Sequence, residues 1–312
     1  MDKHAHFIRK KQLPNKEERH KLFGSVQPGP KTKPVDKFQM TDIQNMQKDF
    51  LFELDAVGID RVKHPIIVTS QMTPHEQTTI ASFTFTSKIK QMSKGTNMSR
   101  FTEQLHAYHE RGFIADFTTL KHFAQELSER LKQDDATISV QFPWFYERRG
   151  PQSDLAGLNH ADVNMTVTYD RVKGYTLSAG LTVKVTTLCP CSKEISEYSA
   201  HNQRGNVTME ISFMENIDVE EVAWKEKLLE AAESNASARL HPVLKRPDEK
   251  MVTEQAYENP RFVEDMVRLV AADLYELNFV RKFKVSCRNE ESIHMHDAIA
   301  SLTYDKLKES TE

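Results

Sequence analysis

Chemically capable side chains are concentrated in one stretch of the sequence, residues 187–205. It contains Cys189, Cys191 and His201 together with two carboxylates and two basic residues. A thiolate, one or two imidazoles and a carboxylate, with one position open for water, form the ligand set of a catalytic metal site. Structural zinc sites instead close four ligands around the ion and typically use Cys-x-x-Cys pairs. The single residue between the two cysteines, and the lack of a second pair in the sequence, therefore argue against a zinc ribbon.

The same spacing disfavours two thiolates on one ion, which leaves Cys191 free for another role such as proton transfer. Three further segments could contribute to a site. His294 and His296 fall in a predicted last strand, where alternation puts both imidazoles on one face, although a histidine on such a face is often a core residue. Residues 245–250 form a charged loop that is typical of a solvated turn. Residues 95–101 combine glycine, serine and arginine before a helix, and they could cradle an anion or simply cap that helix.

A predicted strand delivers Cys189 to the interior of a sheet. Apolar residues alternate with mostly polar ones along the approach, and Cys189 has the same parity as Tyr175, Leu177, Ala179, Leu181, Val183 and Val185. Pro190 lacks a backbone donor and should end the strand pairing. A thiol at a strand end, followed by a polar turn, is a common position for a functional site.

The rest of the chain alternates pairs of strands with pairs of helices. The first half predicts strands near residues 66–68, 81–89, 138–142 and 163–169, and a helix whose apolar stripe is Leu120, Phe123, Ala124, Leu127 and Leu131. The second half repeats the order, with strands at 175–189, 207–213, 283–287 and 293–304 and helices at 218–234 and 259–276. Asn259 is the expected N-cap of the last helix, with Pro260 in its first turn. The pattern favours a duplicated α+β module with antiparallel sheets and helices on one face.

Composition excludes several classes of protein. The chain has 312 residues, and 42 basic against 45 acidic residues give a net charge of −3, so we expect no bulk attraction to nucleic acid or membrane. No apolar run approaches the length of a membrane span, and the polar N-terminus is no signal peptide, so we expect a cytoplasmic protein. Three cysteines argue against a disulfide framework, and Cys287 is expected to be a small buried hydrophobe. Residues 1–40 read as an arm, with weak helical periodicity over 40–54.

The sequence closely resembles the prokaryotic type IB GTP cyclohydrolases. The match is long and specific, running from about residue 62 to residue 304. It is carried by residues 95–101, 188–196, 200–204, 244–250, 257–260, 262–267 and 291–294. The resemblance implies a tandem, bimodular tunnelling fold with a peripheral segment at 1–60 and units at 61–173 and 174–312. Such units assemble into barrels, and members of this family are homotetramers with active sites at subunit interfaces.

The resemblance also implies the reaction and the site residues. The imidazole ring of GTP is opened at C8, formate is released, and the ring recloses as 7,8-dihydroneopterin triphosphate, which feeds folate and deazapurine synthesis. The implied metal ligands are Cys189, His201, Glu249 and His294. Cys191 resembles the catalytic thiol and Glu264 the carboxylate that anchors the purine, since a carboxylate matches the N1–H and 2-amino donors of guanine.

Other roles are less specific. Candidate triphosphate contacts are Ser99, Arg100, Lys193, Arg204 and Arg246, with Arg100 ranked first. His296 could orient His294 or relay a proton. One divalent metal ion per site is expected, and one thiolate among imidazole and carboxylate suits manganese, iron or zinc about equally. A tunnelling-fold nitrile reductase, which would need a nicotinamide, and a non-enzymatic purine- or metal-binding protein are the alternatives.

Overall fold

One antiparallel sheet of eight strands organises the molecule. The computed structural model describes residues 11–24, 35–40 and 42–308. Each strand pairs with the next along the chain, in the order β1 to β8. The strands are β1 (Leu54–Thr69), β2 (Glu76–Ile89), β3 (Asp135–Arg149), β4 (Ala156–Asp170), β5 (Gly174–Leu188), β6 (Asn202–Phe213), β7 (Val280–Glu290) and β8 (Ala298–Asp305). The expected α+β class with antiparallel pairing is confirmed.

The helices follow the strand pairs in the expected order. They are α1 (Lys16–Phe23), α2 (Ser99–His109), α3 (Phe117–Leu131), α4 (Pro190–Ile195), α5 (Trp224–Ser234), α6 (Arg246–Glu258) and α7 (Val263–Glu276), with a 3₁₀ turn at Lys37–Gln39. The predicted stripe of α3 is completely buried. Within the described residues, none of the helices combines the length and the apolar character that crossing a lipid bilayer requires.

A single hydrophobic core spans both halves of the chain. Strand β4 pairs with β5 from Asp162 opposite Thr182 to Asp170 opposite Gly174, so the sheet is continuous across the junction. Buried residues of α3, such as Phe123, and of α7, such as Val270, join the same core. Alternate strand residues therefore face the helices and are buried, while the other face of the sheet is polar. That polar face carries cross-strand hydroxyl pairs, for example Thr182 with Thr208 at 3.0 Å.

Four expected boundaries were wrong, for local reasons. The charged residues 245–250 were expected to form a turn, but they begin α6 because Pro247 fits a first helical turn and the Asp248 carboxylate accepts the Lys245 N–H. Asn259 therefore ends α6 rather than capping the next helix, and α7 begins at Val263. Strand β8 begins at Ala298, which leaves residues 291–297 as a connection. Residues 42–54 contain no helix.

The predicted N-terminal arm lies partly outside the described residues, which exclude 1–10 and 25–34. The described part contains α1, where Asn15 accepts the Glu18 N–H and the Glu18 carboxylate accepts the Asn15 N–H. None of the α1 residues is buried. Helix α1 is therefore held by its own cap rather than by packing.

Candidate active site

The end of β5, just before Cys189, is hydrogen-bonded along both edges. Strand β6 lies on one side, and on the other side β4 has already diverged. Its place is taken by the segment after α5, where Ser237 N–H donates to the Thr186 carbonyl at 3.1 Å and the Leu188 N–H donates to the Ser237 hydroxyl at 3.0 Å. The Arg261 N–H donates to the Leu188 carbonyl at 2.9 Å, just before α7 begins. The strand end is thus fixed relative to the start of α7.

Cys189 and His201 are backbone neighbours across the turn that contains α4. The Cys189 N–H donates to the His201 carbonyl at 3.1 Å. Ser192 closes the turn, because its hydroxyl accepts the His201 N–H at 3.2 Å and lies 3.2 Å from the Cys189 carbonyl. The Cys189 sulfur accepts the Ser192 N–H at 3.5 Å, while Cys191 is exposed in the first turn of α4. Cys189 is thus half-buried while Cys191 faces solvent, and the expectation that the two thiols do not share one metal ion stays a prediction.

The His201 ring faces the connection between β7 and β8. Its Nδ1 lies 3.4 Å from the Ser292 hydroxyl and 3.9 Å from a Glu291 carboxylate oxygen. Both side chains of the histidine–carboxylate pair are largely buried, at 16% and 11% exposed. Glu291 was not among the predicted site residues. Its parity with the buried Cys287 and Asn289 on β7 is a signal that could have identified it.

His294 and His296 follow in the same connection. They do not lie in a strand as expected, yet their rings are nearly parallel, with centroids 5.0 Å apart. Both are exposed. His294 follows Glu291, the neighbour of the His201 ring, by three residues in this connection. The pair remains available to a ligand at the surface.

Helix α6 has a buried carboxylate and an exposed one side by side. Asp248 is completely buried and accepts the N–H groups of Gln152 at 2.6 Å, Ser153 at 2.8 Å and Lys245 at 2.8 Å. Burial alone would raise the pKa of Asp248, but the hydrogen bonds from Ser153, Lys245 and Gln152 outweigh it and hold the pKa well below its usual value. Glu249, the predicted ligand, is exposed. Asp248 therefore has a structural role, and it fixes the turn that presents Glu249.

The other predicted substrate contacts occupy three places. Lys193 on α4 donates to the Tyr257 carbonyl at 2.5 Å and lies 4.4 Å from the Tyr257 ring centre, which ties α4 to the end of α6. Arg100, at the start of α2, donates to the Arg130 carbonyl at 3.0 Å. The remaining predicted contacts are exposed: Ser99, Arg204, Arg246 and Glu264.

The chain alone does not gather a complete metal site. Across residues 11–24, 35–40 and 42–308, no three histidine, cysteine, aspartate or glutamate side chains come close enough together to hold a metal ion. What the structure does bring together is the Cys189 and His201 backbones, and the His201 ring with Glu291. These donor types suit a transition-metal ion, because thiolate, imidazole and carboxylate are the ligands of catalytic sites. The residues present therefore fit such an ion in kind.

Exposed apolar side chains surround this region. Ile195, the last residue of α4, and Tyr198, three residues later, are 84% and 93% exposed. Ile293 and Met295, beside the two histidines, are 62% and 105% exposed. Single exposed apolar residues are ordinary, but these four lie in the two segments that adjoin His201, 195–200 and 291–297.

Comparisons with known proteins converge on one family. The sequence model of the type I GTP cyclohydrolase folE2 family matches residues 40–300. The chain is 66% identical to GTP cyclohydrolase FolE2 of Oceanobacillus iheyensis, over 96% of this chain and 99% of that one. It is 58% identical to the FolE2 of Halalkalibacterium halodurans and 55% identical to that of Bacillus subtilis, over 96% and 94% of this chain and 100% and 96% of those proteins.

The fold itself has a wider likeness. A uricase from Bacillus fastidious superposes with a TM-score of 0.53 at 10% identity, covering 83% of this chain and 96% of the uricase. At that identity the likeness concerns the fold alone.

Proposed function

The chain belongs to the type I GTP cyclohydrolase FolE2 family, and we propose that its active site is built where β5 and β7 end and β6 begins. The protein is a GTP cyclohydrolase that converts GTP toward dihydroneopterin triphosphate in folate biosynthesis. The observation that carries the location is the link between Cys189 and His201, with the His201 ring against Glu291. The end of β5, the start of β6 and the end of β7 thereby lie side by side, and Cys189, His201 and Glu291 directly adjoin them.

One divalent ion per site is part of the proposal. Cys189, His201, Glu249 and His294 would hold it, and manganese, iron or zinc would each suit this donor set. The chemistry that such an ion supplies is Lewis-acid activation of water and of the C8 centre. Cys191 lies in α4 two residues after Cys189, where an exposed thiol can move a proton to or from the opening imidazole ring. His296, stacked on His294, would orient that ring or relay a proton.

Glu264 is the proposed anchor of the guanine. It is exposed in the first turn of α7, and Arg261, three residues earlier, is bonded to the end of β5. The carboxylate can therefore stand at a fixed position relative to Cys189 and accept the N1–H and 2-amino donors of guanine.

This role of Glu264 can be tested by substitution. Glu264→Gln should lower kcat/KM for GTP by roughly 5- to 150-fold, because leaving a donor without its partner costs about 1 to 3 kcal/mol. Glu276→Gln, at the exposed far end of the same helix, is the matched control and should leave kcat/KM unchanged. Equal kinetics for the two variants would remove Glu264 from the substrate site.

The triphosphate is proposed to contact basic residues from both halves of the chain. Arg100 and Ser99 lie at the start of α2, while Lys193, Arg204 and Arg246 surround the strand ends. Arg100 is ranked first because it stands with Gly95 and Ser99 at a helix start, where this combination could cradle an anion. Lys193 would have to exchange its bond to the Tyr257 carbonyl for a phosphate oxygen.

We further propose that the chain consists of two tunnelling-fold units, residues 61–173 and 174–312. These units would assemble with those of other copies into barrels. The resulting homo-oligomer, a tetramer, would complete each active site at a subunit interface. Three observations support it. The edge strands β1 and β8 have no strand partner on their outer sides within the described residues. Exposed apolar residues surround the site, and no complete metal cluster forms within the described part of one chain. We also propose a cytoplasmic location, which the three unpaired cysteines support.

Mixed oligomers test the shared site. Arg100→Ala and Cys191→Ala are each expected to be inactive, and refolding them together should restore part of the activity, because some interfaces then combine an intact Arg100 with an intact Cys191. Cys191→Ala mixed with His201→Ala is the control pair from one half of the chain. Restoration by the control pair as well, or by neither pair, would contradict a site built from two chains in this way.

The activity itself has a direct assay. Purified protein is incubated anaerobically with GTP and each of manganese, iron and zinc in turn, and formate and oxidised-pterin fluorescence are measured. Stoichiometric formate and pterin are expected, and both should disappear in Cys191→Ala. Pterin formation that Cys191→Ala does not reduce would contradict the proposed site.

A further inference from the structure

Two buried polar atoms beneath the proposed site have no hydrogen-bond partner within the described residues. They are the Thr187 hydroxyl oxygen and the Gln203 carboxamide oxygen. Thr187 is completely buried and Gln203 is 8% exposed. The two residues are directly opposite each other in the pairing of β5 with β6. Since side chains on one strand face share parity, they lie in the layer immediately below Cys189 and His201.

Comparable buried groups nearby are satisfied. The Ser237 hydroxyl accepts the Leu188 N–H, and the Cys287 thiol lies 3.5 Å from the Asn289 carboxamide oxygen. On the polar face of the same strand pair, Thr182 and Thr208 bond directly at 3.0 Å. The unpaired state of Thr187 and Gln203 is therefore a local exception. Buried unpaired groups cost free energy, and where they persist they call for a bound water, an ion or a functional role.

The geometry suits one water molecule. Opposite residues of an antiparallel pair have their Cβ atoms about 4.5 to 5.5 Å apart, yet the two oxygens make no direct bond. A water between them can accept the threonine O–H and donate to the glutamine oxygen. Buried waters typically make about three such bonds, which leaves one hydrogen for a third partner.

Strand β7 offers that third partner. Its pairing with β6 runs through Gly205 opposite Asn289 and ends with Arg204 opposite Glu290, so a continuation of this register by one residue would bring Glu291 opposite Gln203. Gly205 leaves room for the Asn289 side chain, because a Cβ there would meet the Asn289 carboxamide oxygen at 2.9 Å. Glu291 is the carboxylate that faces the His201 ring at 3.9 Å. A polar layer thus crosses all three strands whose ends carry the proposed site.

We propose that Thr187 and Gln203 are positioning residues that bind one buried water, and that this water holds the Glu291 carboxylate against His201. The inference rests on the proposed function for its catalytic consequence. The water itself is a property of the protein without metal or substrate. Neither residue touches the reacting atoms, and their effect passes through Glu291 and His201.

Isosteric substitutions at Thr187 test the hydroxyl. Thr187→Val keeps the shape and removes the O–H, whereas Thr187→Ser keeps the O–H. We expect Thr187→Val to lower kcat for GTP by about 10- to 100-fold, the usual effect of losing a group that orients a metal ligand, with an unchanged KM. Thr187→Ser should recover most of that kcat. Thr182→Val, on the same strand and the opposite face, is the control and should retain kcat.

Gln203 offers a matched pair. Gln203→Glu keeps an acceptor oxygen at the same reach, and Gln203→Leu removes it, so kcat should fall further in Gln203→Leu. Wild-type kcat in both Thr187→Val and Gln203→Leu would overturn the proposal. So would an equal loss in Thr187→Val and Thr187→Ser, because the hydroxyl would then not be the group that matters.

A structural readout separates this inference from the proposed function. A crystal structure of the metal-free protein should show a water within hydrogen-bond distance of the Thr187 and Gln203 oxygens, and Thr187→Val should lack it. Absence of that water in the wild-type crystal would overturn the inference even if the enzyme is active. A water present in a wild-type protein that releases no formate from GTP would instead locate the failure in the proposed function.

Discussion

Removing one hydroxyl behind the end of β5 should loosen the strand that presents Cys189. Ser237 is completely buried, and its hydroxyl oxygen is the acceptor for the Leu188 N–H at 3.0 Å. Ser237→Ala takes away that acceptor and brings in no replacement. A buried N–H left unpaired costs about 1 to 3 kcal/mol. The change in volume is one oxygen atom, so the lost hydrogen bond dominates the effect.

The expected magnitude follows from that cost. About 1 to 3 kcal/mol corresponds to roughly a 5- to 150-fold change in an equilibrium constant. Local opening around Leu188 should become more frequent by this factor, because Ser237 and Arg261 are what hold that edge of β5 after β4 has diverged. Amide hydrogen exchange of a peptide covering Val185 to Cys189, measured at constant pH on the metal-free protein, reports the change directly.

Ser128→Ala provides the matched control. Ser128 is also buried, at 2% exposed, but its hydroxyl donates to the Gln125 carbonyl one turn earlier in α3. Its removal leaves no N–H unpaired, and alanine is the better helix former. Exchange near β5 should therefore be unchanged in Ser128→Ala. If Ser237→Ala and Ser128→Ala show the same exchange in the β5 peptide, the Ser237 hydroxyl does not support the strand end and the reasoning fails.

Three further outcomes follow from the structure. Cys191→Ala should abolish turnover but retain bound metal, whereas His294→Ala should lose both turnover and metal. The metal content of the two purified variants tests this prediction, and an equal loss of metal in both would contradict the separate roles of the two residues. Burial raises the pKa of the Cys287 thiol to about 12. Iodoacetamide should therefore alkylate Cys191 in the native protein and Cys287 only after unfolding, which mass analysis of the peptides would show. Rapid alkylation of Cys287 in the native protein would refute its burial. The pKa of Asp248 is lowered in the folded state, so the ionised carboxylate stabilises the fold at pH values above about 3.8, and this contribution is lost as the pH falls through the folded-state pKa. In urea titrations at pH 6 to 8, Asp248→Asn should therefore have a smaller free energy of unfolding than wild type, and the difference should narrow only in strong acid. A difference that disappears near pH 5 would contradict the lowered pKa.

Strand and helix periodicity predicted the parts of the fold whose burial is regular. The alternation leading to Cys189 is confirmed, since β5 ends at Leu188 with alternate residues buried, and so is the stripe of α3. Helix α6 was missed because only Asp248 and Ala256 along it are buried, so it has almost no apolar stripe to detect. Its stability comes instead from the hydrogen bonds that Asp248 accepts, which the sequence does not display.

The site was predicted through short motifs rather than through long-range contacts. Cys189 and His201 are neighbours in space because a short turn joins their strands, and that could be anticipated. Glu291 required knowledge of the β6–β7 register, which periodicity alone does not provide. His294 and His296 were assigned to a strand because alternation continues through them, although β8 begins only at Ala298. Their alignment with the other proposed ligands stays a prediction.

The contacts of Asp248 make the two halves of the chain interdependent. The turn between β3 and β4 belongs to the first half of the chain. The N–H groups of Gln152 and Ser153 in this turn donate hydrogen bonds to the Asp248 carboxylate of α6, which belongs to the second half. We expect a change of length or sequence in that hairpin to disturb the hydrogen bonds to Asp248 and, through them, the position of Glu249. Substitutions in the β3–β4 hairpin are therefore a way to change the position of the proposed ligand Glu249 without changing any proposed GTP contact.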